Sequence, residues 1–162
     1  MADKYTDGFD NKPKNPVFST GQAVKRIRAK VEIAIADANG QKYIIAQGLS
    51  IDDIVLSIML PKGWSAVTSG TDFDIGLGYI DEAGDIVAVE VDVFVDGKNM
   101  SAGLTSALDI CESSSTDTIG EALATDVSTE EAKSKYIMYM TGNIVGSAAV
   151  DLDIDIVIAP SA

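Results

Sequence analysis

Histidine is missing from all 162 positions. That excludes Ser-His-Asp and Cys-His nucleophile systems and every zinc site built on imidazole. Cysteine is nearly as scarce. Cys111 stands alone, so the chain holds no intrachain disulfide, CxxC pair or thiolate metal site. It reads as a bystander thiol, buried or half-buried. Aromatic residues are 6% of the chain, with Trp64 the single tryptophan. Two carboxylates alone could cleave a glycoside, but a sugar site ordinarily needs aromatic platforms as well. Walker and GxGxxG patterns are absent, which removes phosphate cradling. No apolar run approaches the ~20 residues of a membrane span. The opening Met-Ala-Asp-Lys-Tyr lacks the apolar core of a secretory signal, so the chain is expected to be made in a cytoplasm. No catalysis, cofactor or essential metal is expected.

What is present is acid. The formal charge is -13, unevenly placed. Residues 1–30 hold seven bases and three acids, a net of +4, and the remainder holds five bases and 22 acids, a net of -17. An acidic body repels nucleic acid and anionic membranes, so neither is an expected partner. Residues 1–24 are polar, contain Pro13 and Pro16, and read as an extended arm ahead of a domain over 25–162. Its bases Lys4, Lys12 and Lys14, with Lys25 at its end, are the candidate contacts to an acidic partner surface. An arm folded back along its own acidic sheet is the alternative.

From residue 26 the chain alternates with period two, the signature of half-buried strands. Strands are expected over 26–36, 42–46, 54–60, 72–80, 87–95, 136–141 and 149–158, with a weaker one near 104–110. Asn39-Gly40, Glu82-Ala83-Gly84 and Asp96-Gly97 mark turns. In 72–80 Phe73, Ile75, Leu77 and Tyr79 share the inward face, while Gly76 and Gly78 leave a bare strip on the other. That strip fits a bulge, a crowded neighbouring strand or a second layer. Residues 112–135 are the one sizeable insertion, with helical spacing at Ile119, Ala122 and Leu123 and a capping-box pattern at Ser128 and Glu131. About eight strands with one apolar face each imply an all-β, two-sheet sandwich of jelly-roll type.

Asp151, Asp153 and Asp155 alternate along the last strand, about 7 Å apart on one face. An EF-hand loop fails here, because its sixth position is Ile156 and its twelfth Ala162. Arg26, Arg28 and Lys30 repeat with the same spacing on the first long strand. If the two strands are adjacent and antiparallel, the ladders face each other, and each exposed pair contributes roughly 0.2–1 kcal/mol. A plain solvated face is the alternative.

The stretch Thr71-Asp-Phe-Asp-Ile-Gly-Leu-Gly-Tyr79, followed by Val91-Asp-Val-Phe-Val-Asp-Gly-Lys-Asn-Met-Ser101, resembles the head decoration (cement) proteins of tailed phages. Thr141-Gly-Asn-Ile-Val-Gly146 and the alternating terminal strand are similar too, and the likeness spans about residues 30–158. It implies a homo-oligomer, dimer or trimer, that clamps neighbouring major capsid subunits on the exterior of a virion. The basic arm and the 112–135 insertion depart from that pattern. A carbohydrate- or host-binding module, such as an adhesin or tail-fibre piece, is the alternative. It would need an aromatic-lined pocket, for which Trp64, Tyr79 and Tyr139 are the candidates.

Overall fold

The computed structural model describes residues 4–5, 24–34, 37, 39–66, 72–113, 116–123, 135–143 and 149–160. Among these residues nine strands and one short helix follow in chain order: β1 (Lys4–Tyr5), β2 (Lys25–Ile33), β3 (Tyr43–Leu49), β4 (Ile54–Leu60), β5 (Asp72–Ile80), β6 (Ile86–Asn99), β7 (Leu108–Asp109), α1 (Ile119–Ala122), β8 (Tyr136–Asn143) and β9 (Val150–Ala159). One sheet has the order β1-β3-β8-β5-β6 and the other β2-β9-β4-β7.

The antiparallel pairs β2–β9, β3–β8, β4–β7 and β5–β6 are nested. Such nesting is one long ribbon folded at β5–β6 and rolled so that successive pairs alternate between sheets, which is the jelly roll. The alternation seen in sequence supplies its core. Ile27, Ala29, Val31 and Ile33 of β2 and Leu152, Ile154, Ile156 and Ile158 of β9 are buried against Phe73, Ile75 and Leu77 of β5 and Tyr136, Met138 and Met140 of β8. Each large side chain so buried contributes roughly 1.5–3 kcal/mol. The β2–β3 connection is held by Asp37, whose carboxylate accepts from the Ala34 amide (2.8 Å) and the Tyr43 hydroxyl (2.7 Å).

Several expectations are corrected. β8 does not alternate, since Tyr136 through Met140 are all buried. Ile137 and Tyr139 join Ile44 and Ile86 in a second apolar cluster on the other side of that sheet. β6 does not stop at Asp96-Gly97. Gly97 takes φ +60°, its amide donates to the Asp74 carboxylate (2.7 Å), and Lys98 and Asn99 still pair with β5. The five-valine alternation breaks as well. Ile75 and Leu77 oppose Val95 and Glu90, so two steps on β5 face five on β6, and the bulge leaves Val91 46% exposed. Within the insertion the capping box is Thr118 with Glu121 at the head of α1, while Ser128 and Glu131 lie outside the described residues.

β1 pairs parallel with β3, Lys4 beside Tyr43 and Tyr5 beside Ile44. At these two positions the arm lies on its own sandwich, the alternative that the sequence left open. The physical reason is the edge of β3, whose unpaired amides and carbonyls accept a strand.

Candidate functional site

The outer face of the four-stranded sheet carries a ladder of ion pairs built from β2, β9 and the loop after β4. Antiparallel register sets Arg28 opposite Asp155, Lys30 opposite Asp153 and Glu32 opposite Asp151, while Arg26 stands opposite Val157. The side chains then choose diagonal partners. Arg26 pairs with Asp155, and Arg28 Nε reaches the other oxygen of that carboxylate at 3.4 Å. Lys30 Nζ turns to Glu32 (2.7 Å) and Asp151 (3.5 Å). The hydrogen bond to Glu32, then the charge of Asp151, holds the Lys30 ammonium above the usual lysine range. Asp153 is taken by Lys62 from the loop after β4, at 2.6 Å. Glu32 and Lys62 were not singled out from sequence. Glu32 was legible as the next outward position of β2, whereas Lys62 lies in a loop and is brought in by the β4–β9 pairing.

This ladder is chemically quiet. Its cations neutralise its anions, leaving neither a phosphate-binding patch nor a free carboxylate cage. Among the described residues no three His, Cys, Asp or Glu side chains are placed to hold a metal ion. Of the arm residues, Lys25 is exposed at the start of β2, opposite Ile158, and Lys4 lies on β1. Lys12 and Lys14 fall outside the described residues.

The second charged region flanks β5 and β6. Burial first, then the charges of Asp72, Asp96 and Asp92, push the Asp74 carboxyl up, against the lowering effect of the Gly97 amide. The bare strip beside it now has a cause. A Cβ on Gly76 would sit 2.2 Å from the Glu90 carbonyl oxygen, and one on Gly78 2.6 Å from that of Val87 and 3.1 Å from the Tyr139 ring. The backbone of β6 and the Tyr139 ring occupy the space that side chains on β5 would need.

The aromatic candidates do not converge. Trp64 is buried in the core between the sheets, with its indole N–H donating to Met100 O at 3.0 Å. Tyr139 is buried in the second cluster, under Lys42, whose ammonium lies 5.9 Å from the ring centroid and donates to Ile86 O. Tyr79 packs half-buried against the main core. An open groove of about 850 Å³ runs between the loops at Lys62–Ala66 and Ala102–Thr105, but Trp64 at its base is only 8% exposed and offers no stacking face. Cys111 sits half-buried, its sulfur 3.2 Å from Ser113 Oγ. Burial pushes its thiol up, the opposite of what a nucleophile needs. Comparison with protein-family models, curated proteins and solved structures finds no match to this chain.

Proposed function

We propose that this chain is a non-enzymatic decoration (cement) protein of a tailed-phage capsid, bridging neighbouring major capsid subunits on the outside of the shell. The observation that carries the reading is where the phage-like residues stand. Asp72–Tyr79 lies on β5 and Val91–Asn99 on β6, two strands paired with each other and joined by one turn. The two longest stretches of the resemblance therefore form one hairpin, with its bulge and its acidic flank. A cement protein needs surface and stability instead of chemistry. The self-neutralised ladder, the raised Cys111 thiol and the separated aromatics are compatible with that need. An acidic body also avoids packaged DNA. The test is co-purification. Tagged chain produced alongside tailed-phage particles should pellet with assembled capsids and add density to the outer shell surface. Particles that pellet without it, at protein concentrations well above micromolar, would refute the reading.

A further inference from the structure

In the order β1-β3-β8-β5-β6 two strands stand between β3 and β6. Three strand spacings, about 14 Å, are more than a lysine side chain spans. Yet Lys42, just ahead of β3, donates to Ile86 O of β6 at 2.8 Å. Ile86 also shares the second apolar cluster with Ile44 of β3 and with Ile137 and Tyr139 of β8. A flat sheet cannot bring these groups together. The end of the β5–β6 hairpin therefore curls over the outside of its own sheet, toward β8 and β3. The glycines report the same curl. Glu90 O and Val87 O stand 2.2 Å and 2.6 Å from where side chains on Gly76 and Gly78 would begin, so the β6 backbone crosses the side-chain face of β5.

This curled strap, residues 79–92, is lightly held. Ile86 is its one buried residue, and Tyr79 and Val89 lean half-buried against the rim of the main core. Its root is the bulge. Two steps on β5, from Ile75 to Leu77, face five on β6, from Val95 to Glu90, which breaks the ladder between the strap and the rest of the hairpin. The strap carries five acids, Asp81, Glu82, Asp85, Glu90 and Asp92, and no base, on a chain of net charge -13. Lys42 reaches it across the Tyr139 ring. Ile86 and Glu90 have further partners, so Lys42 is one tie among several. Beneath the strap the Tyr139 hydroxyl is buried with no partner among the described residues, and it gains hydrogen bonds once water reaches it.

We propose that residues 79–92 open as one unit while the sandwich stays folded, with the β6 bulge as the hinge and Lys42 as a latch. Lifting breaks the Lys42 bond, uncovers Ile44, Ile137 and Tyr139 on the outside of the sheet and hydrates the tyrosine hydroxyl. The core between the sheets keeps its buried residues on β2, β5, β8 and β9. A segment with so little buried opens at a lower free energy than the whole fold. This goes beyond the decoration reading and stands without it, because it concerns the free protein in solution.

Hydrogen exchange of the full chain, followed by mass spectrometry in urea below the unfolding transition, tests it. Amides of 80–90 should be protected about tenfold less, or weaker still, than those of 150–158, with a shallower urea dependence, because their opening exposes less surface. Two variants then separate local from global opening. Ile154→Val thins the buried face of β9, which the strap's opening leaves intact. It should lower protection of 150–158 several-fold and leave 80–90 as in wild type. Lys42→Met keeps the stem over Tyr139 and removes the ammonium. It should lower protection of 80–90 roughly tenfold, and that of 150–158 by a similar factor, since both openings break the same bond. Equal protection and equal urea dependence in the two segments of wild type would overturn the proposal. So would an Ile154→Val effect shared by both segments, or a Lys42→Met protein whose 80–90 amides exchange as wild type does. Particle co-purification reads the decoration function separately, since a chain without a lifting strap that still pellets with capsids leaves that function intact.

Discussion

Gly76→Ala is a sharp test of the packing between β5 and β6 because the local and tertiary effects have opposite signs. Inside a strand, glycine is ordinarily a liability of about 0.5–1 kcal/mol against alanine. The conformation of Gly76 does not require positive φ, so local propensity alone favours the substitution. The structure reverses that expectation. The new Cβ would stand 2.2 Å from Glu90 O and 2.6 Å from the Val91 carbonyl, all of it backbone that cannot rotate away. Ordinary contact distances demand that β6 withdraw by roughly 1 Å. Overpacking of this kind costs about 1–3 kcal/mol, and a ladder bond loosened by the withdrawal adds about 1 more. After the propensity gain is subtracted, a net loss of about 1–3 kcal/mol remains. For a chain of this size that lowers Tm by roughly 2–12 °C. Calorimetry gives the size, and hydrogen exchange gives the place: amides of 86–93 should exchange faster than in wild type. Gly84→Ala is the control, since nothing lies within 4 Å of its Cβ and its cost comes only from φ +90°. A Gly76→Ala protein melting at or above wild type would refute the reasoning.

Three other outcomes follow from the same geometry. Tyr139 has a buried hydroxyl with no hydrogen-bond partner among the described residues, and burial, then Asp74 and Asp92, push its pKa up to about 12. Tyr139→Phe should therefore raise stability by about 1 kcal/mol in urea denaturation, and a loss of that size would mean the hydroxyl is satisfied. Asp155→Asn removes the shared partner of Arg26 and Arg28, both more than half exposed. The loss should be about 1 kcal/mol or less and should shrink in 1 M salt; a loss unaffected by salt contradicts the ion-pair account. For Asp74 the folded carboxyl titrates above its unfolded value, so its charged form costs stability, and that cost appears as pH rises through the raised pKa. Asp74→Asn should melt higher than wild type at neutral pH, with the difference fading as pH falls below about 4, near the ordinary aspartate value. A difference that grows toward acid pH would reverse the sign and the explanation.

Alternation alone was enough to read most of the strands, because a residue on a half-buried sheet answers to its own two neighbours and to one core. Phe73, Ile75 and Leu77 on β5, and the even-numbered apolar series on β9, carry their burial in their spacing. The β2–β9 pairing was legible for a related reason, two oppositely charged ladders of equal period, but its register was not, since Arg26 stands opposite Val157 and the acid Glu32 opposite Asp151. The individual partners were not legible. Lys62 reaches Asp153, and Lys30 turns along its own strand to Glu32, because long side chains select among neighbours that only the folded sheet brings close. The bulge in β6 was hidden too, since five alternating valines look like a regular strand until β5 imposes its own shorter register. Gly76 and Gly78 announced a bare strip without saying what filled it. Their occupants, the β6 carbonyls and the Tyr139 ring, come from residues 9 to 61 positions away in the chain, at Glu90 and Val87 on one side and Tyr139 on the other. Period-two chemistry is a local property and survives in the sequence. Register slips, diagonal ion pairs and close backbone crossings belong to pairs of strands, and tertiary structure alone decides them.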